Sequence, residues 1–131
     1  VYGQSALLTV NTAVALAEAE FHNGNPDKSA DLYKSALSSG QSAFGPNNIE
    51  TAKILNDLAY LYFQQGKLSE SRTFYEWAIA STEGALGQSN PLLAACLKDY
   101  AQVLRGLGKT TEAADAESRA EKILAAKQSQ M

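Results

Sequence analysis

Residues 55–62 read Leu55-Asn56-Asp57-Leu58-Ala59-Tyr60-Leu61-Tyr62, followed by Gly66-Lys67 and then by Leu68, Ser71, Tyr75, Ala78, Ile79, Thr82 and Leu86 before Gly87. Leu55, Leu58, Ala59 and Tyr62 recur at i, i+3, i+4 and i+7, the spacing that lines one face of an α-helix. Gly66 stands where a helix C-terminus favours a residue that tolerates positive φ. The residues from Leu68 to Leu86 form a second stripe, closed by Gly87. This stretch is two amphipathic helices joined by a tight turn.

The same pattern extends in both directions. Gly24, Gly66 and Gly108 are spaced by 42 residues, and so are Gly3, Gly45 and Gly87, so six of the nine glycines mark two interleaved registers. Leu55 keeps step with Leu97, Ala17 with Ala59 and Ala101, Ala36 with Ala78 and Ala120, and Tyr33 with Tyr75. Gln4-Ser5 returns as Gln88-Ser89. Pro26 suits the first turn of a helix, and Asn90-Pro91 reads as an N-cap followed by Pro at N1. The predicted helices run over residues 5–23, 26–44, 48–65, 68–86, 91–106 and 110–127. They fall into units over about 5–45, 47–87 and 89–127, with a 128–131 tail. A single helical pair cannot bury both of its faces, so stability has to come from stacking neighbours.

Composition agrees. The chain has 131 residues, 45% hydrophobic and 19% charged, with 22 Ala against four Val and four Ile. Alanine is the best helix former, and its small side chain lets helix axes approach closely. No apolar run approaches the ~20 residues that span a bilayer, so no membrane insertion is expected. A net charge of −3 without a basic block offers no footprint for nucleic acid. One Cys rules out a disulfide framework and a cysteine-based zinc cluster. An unpaired Cys suits a reducing cytoplasm and is compatible with export as well.

The run Leu55 to Tyr62 with Gly66, Tyr75 and Ala78 resembles the tetratricopeptide repeat: a small residue in the middle of the first helix, Gly at the turn, then an aromatic and Ala in the second. Armadillo and HEAT repeats share a period of about 40–47 residues but not this pattern. The tetratricopeptide unit normally takes about 34 residues. The surplus here amounts to about two helical turns, ~12 Å, ending in Ala85-Leu86-Gly87 and Asn90-Pro91. That long form resembles the kinesin light chain type. The resemblance implies an all-α, right-handed α-solenoid of three helix-turn-helix units, six helices in all. Glu117 replaces the tyrosine of the first two units, and the polar run from Glu117 to Lys122 suits a terminal, capping unit. Val1-Tyr2-Gly3 aligns with the ends of the other units, so the chain reads as the C-terminal piece of a longer array or as a mature form cut near its start. A missing neighbour would leave Leu7, Leu8 and Val10 exposed.

No catalytic constellation emerges, and no cofactor or metal site is expected. His22 and Cys96 lie in different units, and Cys96 falls on a helical stripe beside Ile54, where it reads as a small buried hydrophobe. Gly106-Leu107-Gly108 lacks the context of a phosphate loop and reads as a helix-ending turn. Acid pairs such as Glu18 with Glu20, or Asp115 with Glu117, read as solvated faces.

The resemblance implies that the first helices line a concave groove that takes a protein or peptide partner. Carried over, the groove comprises Asn11, Val14, Glu18, Phe21 and His22 from the first unit. The second unit adds Lys53, Asn56, Tyr60, Phe63 and Gln64, and the third Ala95, Lys98, Gln102 and Arg105. Lys53, Asn56, Tyr60 and Phe63 also form a stripe of their own, offset from the core stripe, and aromatics kept off a core are candidate contacts. Lys53, Lys98 and Arg105 could together meet an acidic side chain or terminal carboxylate. The carboxylate clamp of chaperone-binding repeats fits poorly, because Glu18 and Tyr60 stand where it needs Asn and only Lys98 matches. Asn56 matches the first Asn of the Asn-Asn pair of kinesin light chain repeats, and Asp57 replaces the second. Trp77 lies one residue off its stripe, either over the seam between units or as an anchor for self-association. The expected function is a non-catalytic interaction scaffold. The alternative is a structural or oligomerisation segment that uses the N-terminal end or Trp77.

Overall fold

The computed structural model describes residues 2–130, with side chains from Ser5 onward. Six helices follow one another: α1 (Tyr2–His22), α2 (Pro26–Phe44), α3 (Ile49–Gln64), α4 (Leu68–Leu86), α5 (Pro91–Gly106) and α6 (Thr110–Ser129). No strand occurs among the described residues.

The turn inside each pair is built identically three times. Gly24, Gly66 and Gly108 have φ of +81°, +75° and +78°. The amide of each glycine donates three residues back, to Phe21, Phe63 and Arg105, at 3.0–3.1 Å. The next amide reaches five back, to Glu20, Tyr62 and Leu104, at 2.8–2.9 Å. This double bond satisfies the last carbonyls of the first helix and reverses the chain. The starts of α3 and α5 are also copies: the Asn48 and Asn90 side chains accept from the Glu50 and Leu92 amides at 2.8 and 2.9 Å. Pro91 occupies the first turn of α5. Gly106-Leu107-Gly108 is the helix-ending turn that its context suggests.

Small residues set the packing. Ala17, Ala59 and Ala101 are buried where first and second helices cross. The buried hydroxyls of Ser29 and Ser71 donate to the carbonyls of Ala17 and Ala59 at 2.6 and 2.7 Å, so each serine fits at the crossing with its polar atom satisfied. Ala113 takes this place in the third pair. Leu55, Leu58, Ala59 and Tyr62 are all buried, as their stripe predicts. Within pairs α1 packs on α2, α3 on α4 and α5 on α6; α2 on α3 and α4 on α5 then join the pairs into one stack. Polar links bind α4 to the last pair: Arg72 to Glu112, Glu83 to Arg119, and the Tyr100 hydroxyl to Glu76.

Several expectations need correction. α1 starts at Tyr2, so Gly3 lies within a helix rather than at a unit boundary; the rest of that expected boundary, Val1, lies outside the described residues. α6 continues to Ser129, so Gln128 and Ser129 of the expected tail are helical, and Met131 lies outside the described residues. Leu86 is exposed, because its stripe has rotated off the core by the last turn of α4. Val10 is buried against the first pair instead of lying open, whereas Leu8 is 69% exposed. The open face of α1 lies elsewhere. Thr51, Ile54, Leu58 and Leu61 of α3 are buried, as are Leu93, Cys96 and Val103 of α5, because α2 and α4 cover them. Thr9, Thr12, Leu16 and Ala19 hold the same register on α1 and are exposed.

Candidate functional site: the first-helix face

Three cavities open along the side formed by α1, α3 and α5. The first, about 250 Å³, is lined by Phe21 of α1, Tyr33 of α2, and Asn56, Asp57, Tyr60 and Leu61 of α3. The second, about 120 Å³, is predominantly apolar; Lys53, Asn56, Asp57, Leu92, Ala95 and Cys96 contribute to its wall. The third, about 260 Å³, lies between Lys98, Gln102 and Arg105 of α5 and Glu117 and Glu121 of α6. The first two share Asn56 and Asp57, so these two side chains form the ridge between them.

The helical period explains the arrangement. Lys53, Asn56, Asp57 and Tyr60 succeed one another at i, i+3, i+4 and i+7, and so share one side of α3, opposite the buried Leu55-Leu58-Tyr62 stripe. Tyr60 remains 46% exposed. Asn56 Oδ1 accepts from the Cys96 thiol at 3.3 Å, which joins α3 to α5. Burial pushes that thiol up to about 11, so at neutral pH it stays a weak donor rather than a nucleophile. Cys96 is buried, as its place on the stripe predicts.

Asp57 is the electrostatic centre of the face. Burial, reinforced by the Glu18 carboxylate of α1 and opposed by Lys53, raises its carboxyl from an ordinary 3.8 to about 6. Among the described residues it takes part in no ion pair. Burial, together with Asp57 and Glu18, raises the Tyr33 phenol behind it. Asp99 holds the same register one period on, and burial raises its carboxyl too.

The structure brings Phe21, Asn56 and Tyr60 to one cavity, Lys53 and Asn56 to the next, and Lys98, Gln102 and Arg105 to the third. Phe63 is half-buried against the Ala59–Tyr75–Val103 cluster and lines none of the three. His22 and Gln64 are exposed and stand outside them as well; the His22 ring lies 5.9 Å from that of Phe21. Arg105 is engaged, its Nε donating to Glu117 Oε1 at 2.9 Å. Trp77 lies on another side, half-exposed and tilted against Phe74 of its own helix at 6.0 Å. Sequence reasoning left Asp57 and Tyr33 off the face. The signal for Asp57 was its spacing from Lys53 and Tyr60; Tyr33 carried none, because it reaches the face from behind, out of a second helix. Among the described residues no group of His, Cys, Asp and Glu could hold a metal ion, and no helix is long and apolar enough to cross a membrane.

Paired helices stacked at a constant period define a helical-repeat protein of the α-solenoid class. The family model described as "Tetratricopeptide repeat" matches residues 8–84, and the chain belongs to that family. No curated protein matches the chain. Among solved structures it is similar to BtubC (BKLC) from P. vanneervenii, with 22% identity over 91% of this chain and 48% of that one and a TM-score of 0.85. It is similar to the TPR domain of Arabidopsis FLU, with 19% identity, coverage of 92% and 98%, and a TM-score of 0.78. It also resembles a putative kinesin light chain with nearly identical TPR-like repeats from Podosopora anserina, with 18% identity, coverage of 88% and 55%, and a TM-score of 0.77. The chain spans about half the length of the first and third of these. The array is of the long, kinesin light chain-like type. Tetratricopeptide repeats mediate protein–protein interaction and typically act as non-catalytic scaffolds.

Proposed function

We propose that the chain is a non-catalytic scaffold that seats a peptide segment of a partner along α1, α3 and α5. The observation that carries this reading is the pair of cavities meeting at Asn56 and Asp57, with the half-exposed Tyr60 ring beside them. A tyrosine held on a rigid helix supplies large contact area at little entropic cost. Tyr60 and Phe21 serve as apolar contacts, with Phe63 supporting Tyr60 from the adjoining turn. Asn56, Lys53, Lys98 and Gln102 supply polar contacts, and Arg105, His22 and Gln64 flank the path. The test is selection from a displayed library of random dodecapeptides against the chain. Alanine at Tyr60 or Lys98 is expected to weaken the selected peptides about tenfold, as loss of a central aromatic anchor does, with helix content and melting temperature nearly unchanged. Binders indifferent to both changes refute the reading.

The exposed Thr9, Thr12, Leu16 and Ala19 register favours a second, structural role. A helix of the α2 or α4 kind packs there, either from a preceding unit of a longer array or in self-association. Sedimentation at two concentrations tests the latter, with Leu16→Glu expected to abolish any concentration-dependent dimer.

A further inference from the structure

The two ends of the first-helix face differ in charge. At the α5–α6 end the arginine already has a carboxylate: Arg105 donates to Glu117, and Glu121 lines the same cavity as Arg105 and the exposed Lys98. At the α1–α3 end the position is reversed. The cavity of about 250 Å³ is walled by the rings of Phe21, Tyr33 and Tyr60, and its one carboxylate, Asp57, has no ion-pair partner among the described residues. The nearest cation, Lys53, is exposed and lines the neighbouring cavity instead. A carboxylate among aromatic faces matches one kind of guest, a cation that lies against the rings and donates hydrogen bonds to the acid.

We infer that the groove takes a basic peptide segment that inserts one arginine or lysine side chain between Tyr60 and Phe21 and onto Asp57. This rests on the groove reading above and deepens it by naming the charge of the ligand. Arginine fits best, because its planar guanidinium can stack on a ring while pairing two N–H groups with the carboxylate. Glu18, exposed on α1, adds negative potential at the mouth of the cavity, and the net charge of −3 favours approach of a basic segment. A half-buried, unpaired carboxylate costs stability in the empty protein, and a bound cation offsets that cost. Such a residue is expected at a site that acts through it. The reading differs from the expectation that Lys53, Lys98 and Arg105 draw an acidic ligand, because the charge inside the aromatic-walled cavity is the Asp57 carboxylate, whereas Lys53 and Lys98 are exposed outside it.

The titratable groups placed around Asp57 are Glu18 from α1, Tyr33 from α2, Lys53 and Tyr60 from α3, Tyr75 from α4, and Cys96 from α5. The cation binds the ionised carboxylate, and Asp57 in the empty groove titrates at about 6. Binding therefore weakens as pH falls through that value.

Peptides selected from the random dodecapeptide library are resynthesised with blocked ends and without His, Asp or Glu outside the enriched position. That position then carries Arg, norleucine or Glu in three otherwise identical probes. The expected result is enrichment of Arg or Lys, with the Arg probe bound about tenfold tighter than norleucine, the scale of one charge-assisted hydrogen bond. Affinity for the Arg probe should fall about tenfold between about pH 7.5 and pH 5, since roughly nine-tenths of Asp57 is then protonated. Asp57→Asn should bind weakly at both pH values, and Glu18→Gln should lose a few-fold in affinity while the melting temperature stays the same or rises slightly, because its repulsion of Asp57 is relieved. Peptides that need Tyr60 yet carry an enriched acid, or that tighten in Asp57→Asn or on acidification, overturn this inference while leaving the groove reading intact. A library that yields no binder, or only binders indifferent to Tyr60→Ala, overturns both.

Discussion

Removing the charge of Asp57 should stabilise the protein, and the pH dependence of that gain should follow a single group. The carboxyl is raised from 3.8 to about 6, first by burial and then by Glu18. The folded state thus holds the proton more tightly than the unfolded chain, so stability falls as pH rises through the interval from about 4 to 6. A shift of about two pKa units corresponds to ~3 kcal/mol without screening. The side chain is partly exposed, and solvent screening reduces this to about 1–2 kcal/mol at neutral pH. Asp57→Asn keeps the shape of the side chain and removes the charge. It should raise the unfolding free energy by about that amount at pH 7, or the melting temperature by roughly 3–6 °C for a chain of this size. Below pH 4 both states of the native protein carry the proton, and the two variants should converge. The assay is urea unfolding of both proteins followed by helical circular dichroism in steps across this range. The difference between the two curves isolates Asp57 from every other carboxylate. An Asn variant less stable than the parent at pH 7, or a difference that stays constant with pH, would refute the electrostatic account.

Two further substitutions test the architecture. Gly40 lies inside α2, and a Cβ there would meet only ordinary contacts at 3.7 Å, from Ile54 and Thr51; Gly40→Ala should gain about 0.5–1 kcal/mol from helix propensity, read as a higher urea midpoint. Asn90→Ala removes the side-chain acceptor for the Leu92 amide and should cost about 1 kcal/mol. That loss should lower the thermal midpoint without altering the helix content of the folded state.

The repeat, the helices and their ends were legible in the sequence because they are local. A glycine in the left-handed region, an Asn before a first turn and an apolar stripe at helical spacing each act within a few residues. Copies 42 residues apart reinforce one another, and the six observed helices fall within three residues of the ranges read from that pattern. The face of α3 carrying Lys53, Asn56 and Tyr60 followed from the same periodicity. Burial off the core stripe and charge pairing did not, because they depend on which helix comes to lie opposite. Val10 is covered by its own pair, whereas Leu16, in register with the buried Leu58, stays open because no second helix precedes it among the described residues. Arg105 looks like a free groove cation in the sequence until α6 brings Glu117 against it. In the sequence Asp57 is the residue that replaces the second Asn of the kinesin light chain pair, and only the approach of α1 and α2 places it near Phe21, Tyr33 and Glu18. The sequence by itself determined a stack of paired helices and the side of the first helices that is kept off the core. Tertiary structure decided which charges on that side are paired and which are buried, because a side chain's environment is set by neighbours far away along the chain.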